Sequence, residues 1–290
     1  MRGDLVPNTI QTAEGAVRWG SWGEGRPLVL LHGTPFSSCV WREVLPGLTS
    51  SRQVFVWDML GFGKSEQRTG QDLSLAAQAR VFAQLLREWS LPSPAIVAHD
   101  VGGLVSLRAL LLEGSNYEEL TLLNAVGVPG WSRGGFFHVT KNNPDVFSRL
   151  PGFAHRALVA SKLEDGSHRG LRPAVLAEFL SPWCGERGQA AFYRQYAQAS
   201  EDDTIEVRDK LDSLRIPIRI LWGREDRWLP PAYAGEMRAR IPHAEFMWID
   251  DAGHLVQEDA PAQLLAHLLR PVGERVSRET LAQHTTSKTA

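Results

Sequence analysis

The chain has 290 residues, 43% of them hydrophobic and 22% charged, with 31 Lys+Arg against 33 Asp+Glu and a formal net charge of −2. Such a chain buries a core large enough to need no disulfide or metal, and it is neither disordered nor basic enough to present a nucleic-acid face. Cys39 and Cys184 cannot build a disulfide framework, the N-terminal segment lacks an apolar signal core, and no apolar run reaches the ~20 residues of a membrane span, so a cytoplasmic protein with no membrane partner is expected.

Residues 16–22 read as a strand and 23–27 as a turn. The apolar runs 27–32, 52–57, 95–98 and 120–123 do not alternate, as expected of strands buried on both faces of a parallel sheet. Between them, 73–89 and 102–112 carry apolar residues at helical spacing. The rhythm breaks after Asn124. From 128 to 207 the chain is aromatic, punctuated by Gly and Pro, and helical where patterned, at 175–180 and 189–198. Sheet pattern resumes at 216–223 and 244–249, with helices at 232–240 and about 260–269, and the polar tail from Gly273 is expected to fray. The expected fold is α/β: a mostly parallel sheet with helices on both faces, formed by 1–127 and 208–290, with 128–207 inserted as a helical cap. Ten tryptophans are many for this length, and they serve either packing or an aromatic-lined pocket.

The sharpest local feature is residues 98–103, Ala-His-Asp-Val-Gly-Gly, which follow a buried strand and open a helix. A nucleophile on a strand-to-helix turn needs small neighbours two residues either side, and Ala98 and Gly102 meet that need. The middle residue is Asp100. A carboxylate attacking an acyl carbon gives an uphill anhydride, whereas attack on an sp³ carbon bearing a leaving group gives a stable alkyl ester. Water activated by a histidine can then cleave that ester. The plainer alternative is a buried Asp capping the next helix.

Three further motifs bear on that choice. His32-Gly33-Thr34-Pro35 ends a buried strand, and the N–H of Thr34 with that of Val101 would form an oxyanion hole. Asp226, in the charged turn 223–227 after a strand, is placed to orient a histidine, with Glu225 as the alternative one residue earlier. His254, in the loop before the last helix, is the candidate general base. Nucleophile, acid and histidine occur in that order, each after a strand.

These residues resemble the α/β-hydrolase superfamily, as does Asp58-x-x-Gly61-x-Gly63-x-Ser65. The His-Asp-x-Gly-Gly segment resembles the aspartate-nucleophile branch, which contains epoxide hydrolases and haloalkane dehalogenases. The resemblance implies a lid inserted after the sixth strand and no cofactor or metal. Haloalkane dehalogenases carry a Trp after the nucleophile and often an Asn after His-Gly; Val101 and Thr34 stand there, leaving a lid Trp such as Trp183 as the halide donor. Fluoroacetate-type dehalogenases carry an Arg after the nucleophile, also replaced by Val101. Epoxide hydrolases protonate the epoxide oxygen with lid tyrosines. Phe192-Tyr193-Arg194-Gln195 resembles the segment carrying one of these, so Tyr193 is the candidate acid and Tyr196 the reserve. The usual second tyrosine has no match, and His138 is the substitute. Trp131, Phe136, Phe137 and Trp183 are expected to line an apolar pocket, with Phe36 on the leaving-group side. The resulting expectation is an epoxide hydrolase acting on a hydrophobic small molecule, as a monomer or homodimer. A haloalkane dehalogenase is the first alternative, and a non-hydrolytic cyclase, rearrangement or elimination enzyme the second.

Overall fold

A computed structural model describes residues 3–132 and 135–273. The tail expected to fray beyond Gly273 lies outside the described residues. Eight strands form one sheet: β1 (Asn8–Gln11), β2 (Ala16–Trp22), β3 (Arg26–Leu31), β4 (Arg52–Trp57), β5 (Ala95–Asp100), β6 (Glu119–Ala125), β7 (Ile218–Gly223) and β8 (Glu245–Ile249). Their spatial order is β1-β2-β4-β3-β5-β6-β7-β8. The pairs β1/β2 and β2/β4 are antiparallel and every other pair is parallel. All six residues of β5 and of β7 are buried, which is why these strands read as unbroken apolar runs. β2, next to the edge, keeps partly exposed positions between buried Val17 and Gly20.

The helices flanking the sheet follow from their own sequences. Leu75–Glu88 starts where the Ser74 side chain accepts a hydrogen bond from the Ala77 N–H at 3.1 Å. It buries Leu75, Phe82 and Leu86 while Arg80 and Arg87 stay exposed, and Phe82 stacks on Trp57 at 5.6 Å. Val101–Leu112 is apolar nearly all round because it is covered on several sides, by β3, β5, β6 and the helix Leu75–Glu88.

Between β6 and β7 the chain is helical, with no strand among the described residues. The helices are Gly135–Asn142, Pro144–Ser148, Gly152–Asp165, Pro173–Leu180, Gly185–Gln198 and Asp202–Arg208. Most of them pack on one another. Asp202–Arg208 instead meets Val101–Leu112, where the Arg108 guanidinium donates to the Asp203 carbonyl at 2.6 Å. Gly152–Asp165 is a helix the sequence pattern did not reveal. Its buried positions are His155, Val159 and Leu163, so a histidine interrupts the apolar stripe.

After β8 the chain returns through the loop carrying His254 to the helix Pro261–Leu268. Arg219 of β7 anchors that return. It is 1% exposed, its Nε donates to Glu245 at 3.0 Å, and its other nitrogens donate to the carbonyls of His267, Arg270 and Pro271 at 2.6, 3.1 and 2.8 Å. Removing one partner of such a buried group strands the others. Arg219→Met is expected to lower stability by about 3 kcal/mol in urea unfolding while the folded fraction keeps its specific activity.

Candidate active site

Asp100 ends β5 in the left-handed region, with φ 54° and ψ −127°. Adjacent positions are glycine because the backbone has no room for more. A Cβ on Gly102 would stand 2.5 Å from the His32 carbonyl oxygen, and one on Gly33 would stand 2.3 Å from the Asp100 Cβ. His32 fixes the loop that makes this approach. Its Nδ1–H donates to the Gly33 carbonyl at 2.9 Å, and its Nε2 accepts from the Met59 N–H at 2.9 Å. Burial keeps this imidazole neutral by lowering its pKa.

The two expected N–H donors converge on the Asp100 carboxylate. Thr34 N–H donates to Oδ1 at 2.7 Å, and the Val101 N–H also bonds the carboxylate. Oδ2 lies 3.4 Å from His254 Nε2. His254 Nδ1 lies 3.0 Å from Asp226 Oδ2. Asp226 is itself held on both oxygens: Oδ1 accepts from the N–H groups of Trp228 and Leu229 at 2.8 and 3.0 Å, and Oδ2 accepts from Asn124 Nδ2 at 2.6 Å. Glu225, the other candidate acid, is exposed. The fold thus brings Asp100, His254 and Asp226 into one line with Thr34 and Val101 beside it.

The charge state of this line follows from its burial. His254 is fully buried, which alone would lower its pKa, but Asp226 and Asp100 outweigh burial and raise it to about 9. Burial would raise the Asp100 carboxyl, but the hydrogen bond and charge of His254 and the Val101 N–H hold it below its ordinary value. His99, whose ring lies 4.8 Å from that of His254, is pushed down to about 3 by burial and by His254. It stays neutral and donates from Nε2 to the His254 carbonyl at 3.0 Å. Trp228 also stacks on His254, at 4.6 Å.

A cavity of about 610 Å³ opens over Asp100, a volume suited to a small-molecule ligand. Thr34, Asp100, Val101 and Val126 form its floor, and Trp131, Phe136, Phe137, Lys162, Tyr196 and Trp228 are among its walls. Several side chains expected here are elsewhere. The Tyr193 hydroxyl donates to His155 Nδ1 at 2.8 Å, since His155 Nε2–H is spent on the Trp183 carbonyl at 2.9 Å. Tyr193 and Tyr196 are three residues apart on one helix, which turns them by about 60°, enough to send one to the cavity and the other to a neighbouring helix. The Trp183 indole is buried and donates to the Pro35 carbonyl at 2.8 Å. His138 is exposed beside Asn142, 3.1 Å away. Phe36 lies behind the site, stacked on Trp228 at 5.9 Å, and does not line the cavity.

Three side chains at the site escaped the sequence reading. Asn124 steers the acid, its Oδ1 also accepting from the Gly223 N–H at 3.1 Å. A polar residue ending the apolar run 120–123 was its available signal. Trp228 follows Asp226 by two residues, but nothing in the charged turn marks it. Lys162 sits on the helix Gly152–Asp165, which the apolar pattern concealed. Among the described residues, no group of three or more His, Cys, Asp or Glu is arranged to hold a metal ion.

A family model described as alpha/beta hydrolase fold matches residues 26–261. The chain belongs to the α/β-hydrolase fold family. Among solved structures, an alpha/beta hydrolase fold protein from Burkholderia ambifaria is 39% identical to this α/β hydrolase, with a TM-score of 0.88 over 92% of this chain and 97% of that one. The cis-3-alkyl-4-alkyloxetan-2-one decarboxylase of Shewanella oneidensis is 25% identical over 283 residues, covering 90% of this chain and 85% of the relative. Haloalkane dehalogenase 2 of Mycobacterium tuberculosis is 24% identical over 273 residues, covering 91% and 94%. No helix among the described residues of this α/β hydrolase is long and apolar enough to cross a membrane.

A raised His254 pKa is a stability statement. The folded state binds the proton more tightly than an unfolded histidine near 6.5, so the contribution is complete below that pH and is lost as pH rises through about 9. Its size is on the order of 3 kcal/mol at about 1.4 kcal/mol per unit. Histidine NMR should place the His254 midpoint near 9, and Asp226→Asn should move it down by a unit or more. An unmoved midpoint would mean that Asp226 does not hold the charge.

Proposed function

We propose that this α/β hydrolase opens an epoxide, or a related electrophile with an oxygen leaving group, on a hydrophobic small molecule. Asp100 Oδ2 attacks the ring carbon, the C–O bond breaks, and an alkyl ester forms. Water then attacks the ester carbonyl carbon as His254 Nε2 takes its proton. The N–H groups of Thr34 and Val101 stabilise the tetrahedral oxyanion, and its collapse returns the proton to the departing alkoxide, so epoxide and water become a vicinal diol. The segment 128–207 acts as the cap that closes the cavity.

The observation that carries this reading is the geometry of the Asp100 carboxylate. One oxygen is held by the Thr34 N–H at 2.7 Å and the other faces His254 Nε2 at 3.4 Å. The chemistry is self-timing. With Asp100 ionised, His254 holds a proton; alkylation removes that negative charge and weakens the hold, so the base is released for the step that needs it.

Halide release is less well served. A halide needs N–H donors, but the two indoles lining the cavity are already committed. Trp131 Nε1 donates to Thr204 at 2.8 Å and Trp228 Nε1 donates to Asp165 at 2.9 Å. The similarity to an oxetan-2-one decarboxylase supports a second reading on the same residues. Loss of carbon dioxide from a four-membered lactone also breaks a ring C–O bond and consumes no water, giving an alkene in place of a diol.

His254→Gln should block the second half-reaction and spare the first. Incubated with a panel of alkyl and aryl epoxides, it should accumulate an adduct on Asp100 by peptide mass spectrometry, with ester hydrolysis slowed at least ~10²-fold. Asp100→Asn should form none. Substrate bound by His254→Gln without any adduct would contradict the covalent route.

A further inference from the structure

The alkyl-aspartate reading leaves one chemical need unmet: breaking a C–O bond creates an alkoxide, which requires a proton. The tyrosines do not meet it well. Tyr193 is turned away and bonded to His155. Tyr196 lines the cavity, but its hydroxyl interacts with the Thr34 side chain, and burial foremost, with Asp100, drives its pKa far above the ordinary phenol value.

Lys162 is placed differently. It lines the same cavity as Asp100. Its Nζ stands 3.3 Å from the centroid of the Trp228 ring and 5.7 Å from that of Phe136, so two aromatic faces hold the ammonium in place. It makes no hydrogen bond or salt bridge among the described residues. The nearby carboxylates are taken: Asp165 by Trp228 and Arg227, and Asp226 by His254, Asn124 and backbone N–H groups. An ammonium with no hydrogen-bonded carboxylate, lining the cavity that contains Asp100, has its protons available to negative charge that develops there during reaction.

We propose, on the basis of the alkyl-aspartate reading, that Lys162 is the leaving-group acid: its ammonium donates a proton to the oxygen expelled when Asp100 attacks carbon. Atoms and charge balance simply. Asp100 Oδ2 gains the carbon, the ring oxygen gains the electron pair and then the Lys162 proton, and neutral Lys162 recovers a proton from water. The protonation equilibrium suits this role. Burial lowers the ammonium pKa to about 8, against the opposing pull of Asp165, Asp100 and Asp226, and an acid near the working pH transfers a proton most effectively. Arg227 and Tyr196 also line the cavity, and His254 lies beyond Asp100, so their charge states complete the field that Lys162 feels.

The test uses full-length protein in the His254→Gln background, where the adduct accumulates and the histidine titration is gone. Rapid-quench alkylation of Asp100 is measured with the most reactive epoxide of the panel. With Lys162 present, the rate should fall as pH rises through about 8. Adding Lys162→Met should slow alkylation ~10²-fold or more and remove that limb. Adding Lys162→Arg should stay nearly as slow, because a guanidinium keeps the charge but does not release its proton. Unchanged alkylation with Lys162→Met overturns the proposal, and full rescue by Lys162→Arg does so too, assigning Lys162 to anion binding. If no epoxide alkylates Asp100 even with Lys162 intact, the alkyl-aspartate reading itself has failed. Circular dichroism and urea unfolding of each variant separate lost folding from lost chemistry.

Discussion

A carboxylate at a left-handed backbone position, pressed between two glycines, is the constraint on which the rest of this site depends. Asp100 holds φ 54° because β5 must turn into the helix Val101–Leu112 within one residue. That turn points the side chain away from both elements, toward the cavity. It also requires Gly33 and Gly102, since a Cβ at either would stand within 2.5 Å of its neighbours. The same crossing delivers the Thr34 and Val101 N–H groups to the carboxylate. The carboxylate and the two N–H groups beside it are therefore products of a single backbone event.

The second organising feature is electrostatic. One imidazole lies between two buried carboxylates, and those carboxylates outweigh its desolvation, which holds a proton on His254. A second cationic imidazole next to it would undo the arrangement, and His99, 4.8 Å away, is kept neutral by burial and by His254 itself. Asn124, Trp228 and Leu229 then fix Asp226 so that its charge cannot swing away. Lys162 adds a positive charge to the same cavity, held over Trp228, the ring that also stacks on His254. Trp228 thus contacts both Lys162 and His254.

The parts of this design legible in the sequence are those that backbone crowding and burial impose locally. Buried parallel strands must be apolar, so β3 to β7 stood out as runs, and residues 98–103 announced a sharp turn. The chain order of Asp100, Asp226 and His254 could be read because each follows a strand. Side chains across the cavity were less legible, because helix phase and partner choice decide them. In the sequence Tyr193 is the first candidate and Tyr196 the reserve, but helix phase and the His155 pairing turn Tyr193 away and leave Tyr196 at the cavity. Trp183 looked available until its indole met the Pro35 carbonyl. Lys162 had no local signal, since its importance comes from Trp228, 66 residues later in the chain.

The central claim is that Asp100 attacks carbon and that water attacks the resulting ester at its carbonyl. A single-turnover reaction in heavy-oxygen water, with enzyme in excess over the best epoxide substrate, tests it most directly. The label should appear in the Asp100 carboxylate and be missing from the diol, because the diol takes its new oxygen from the enzyme. Label in the diol with none in Asp100 would show direct attack by water on the substrate and would contradict the account.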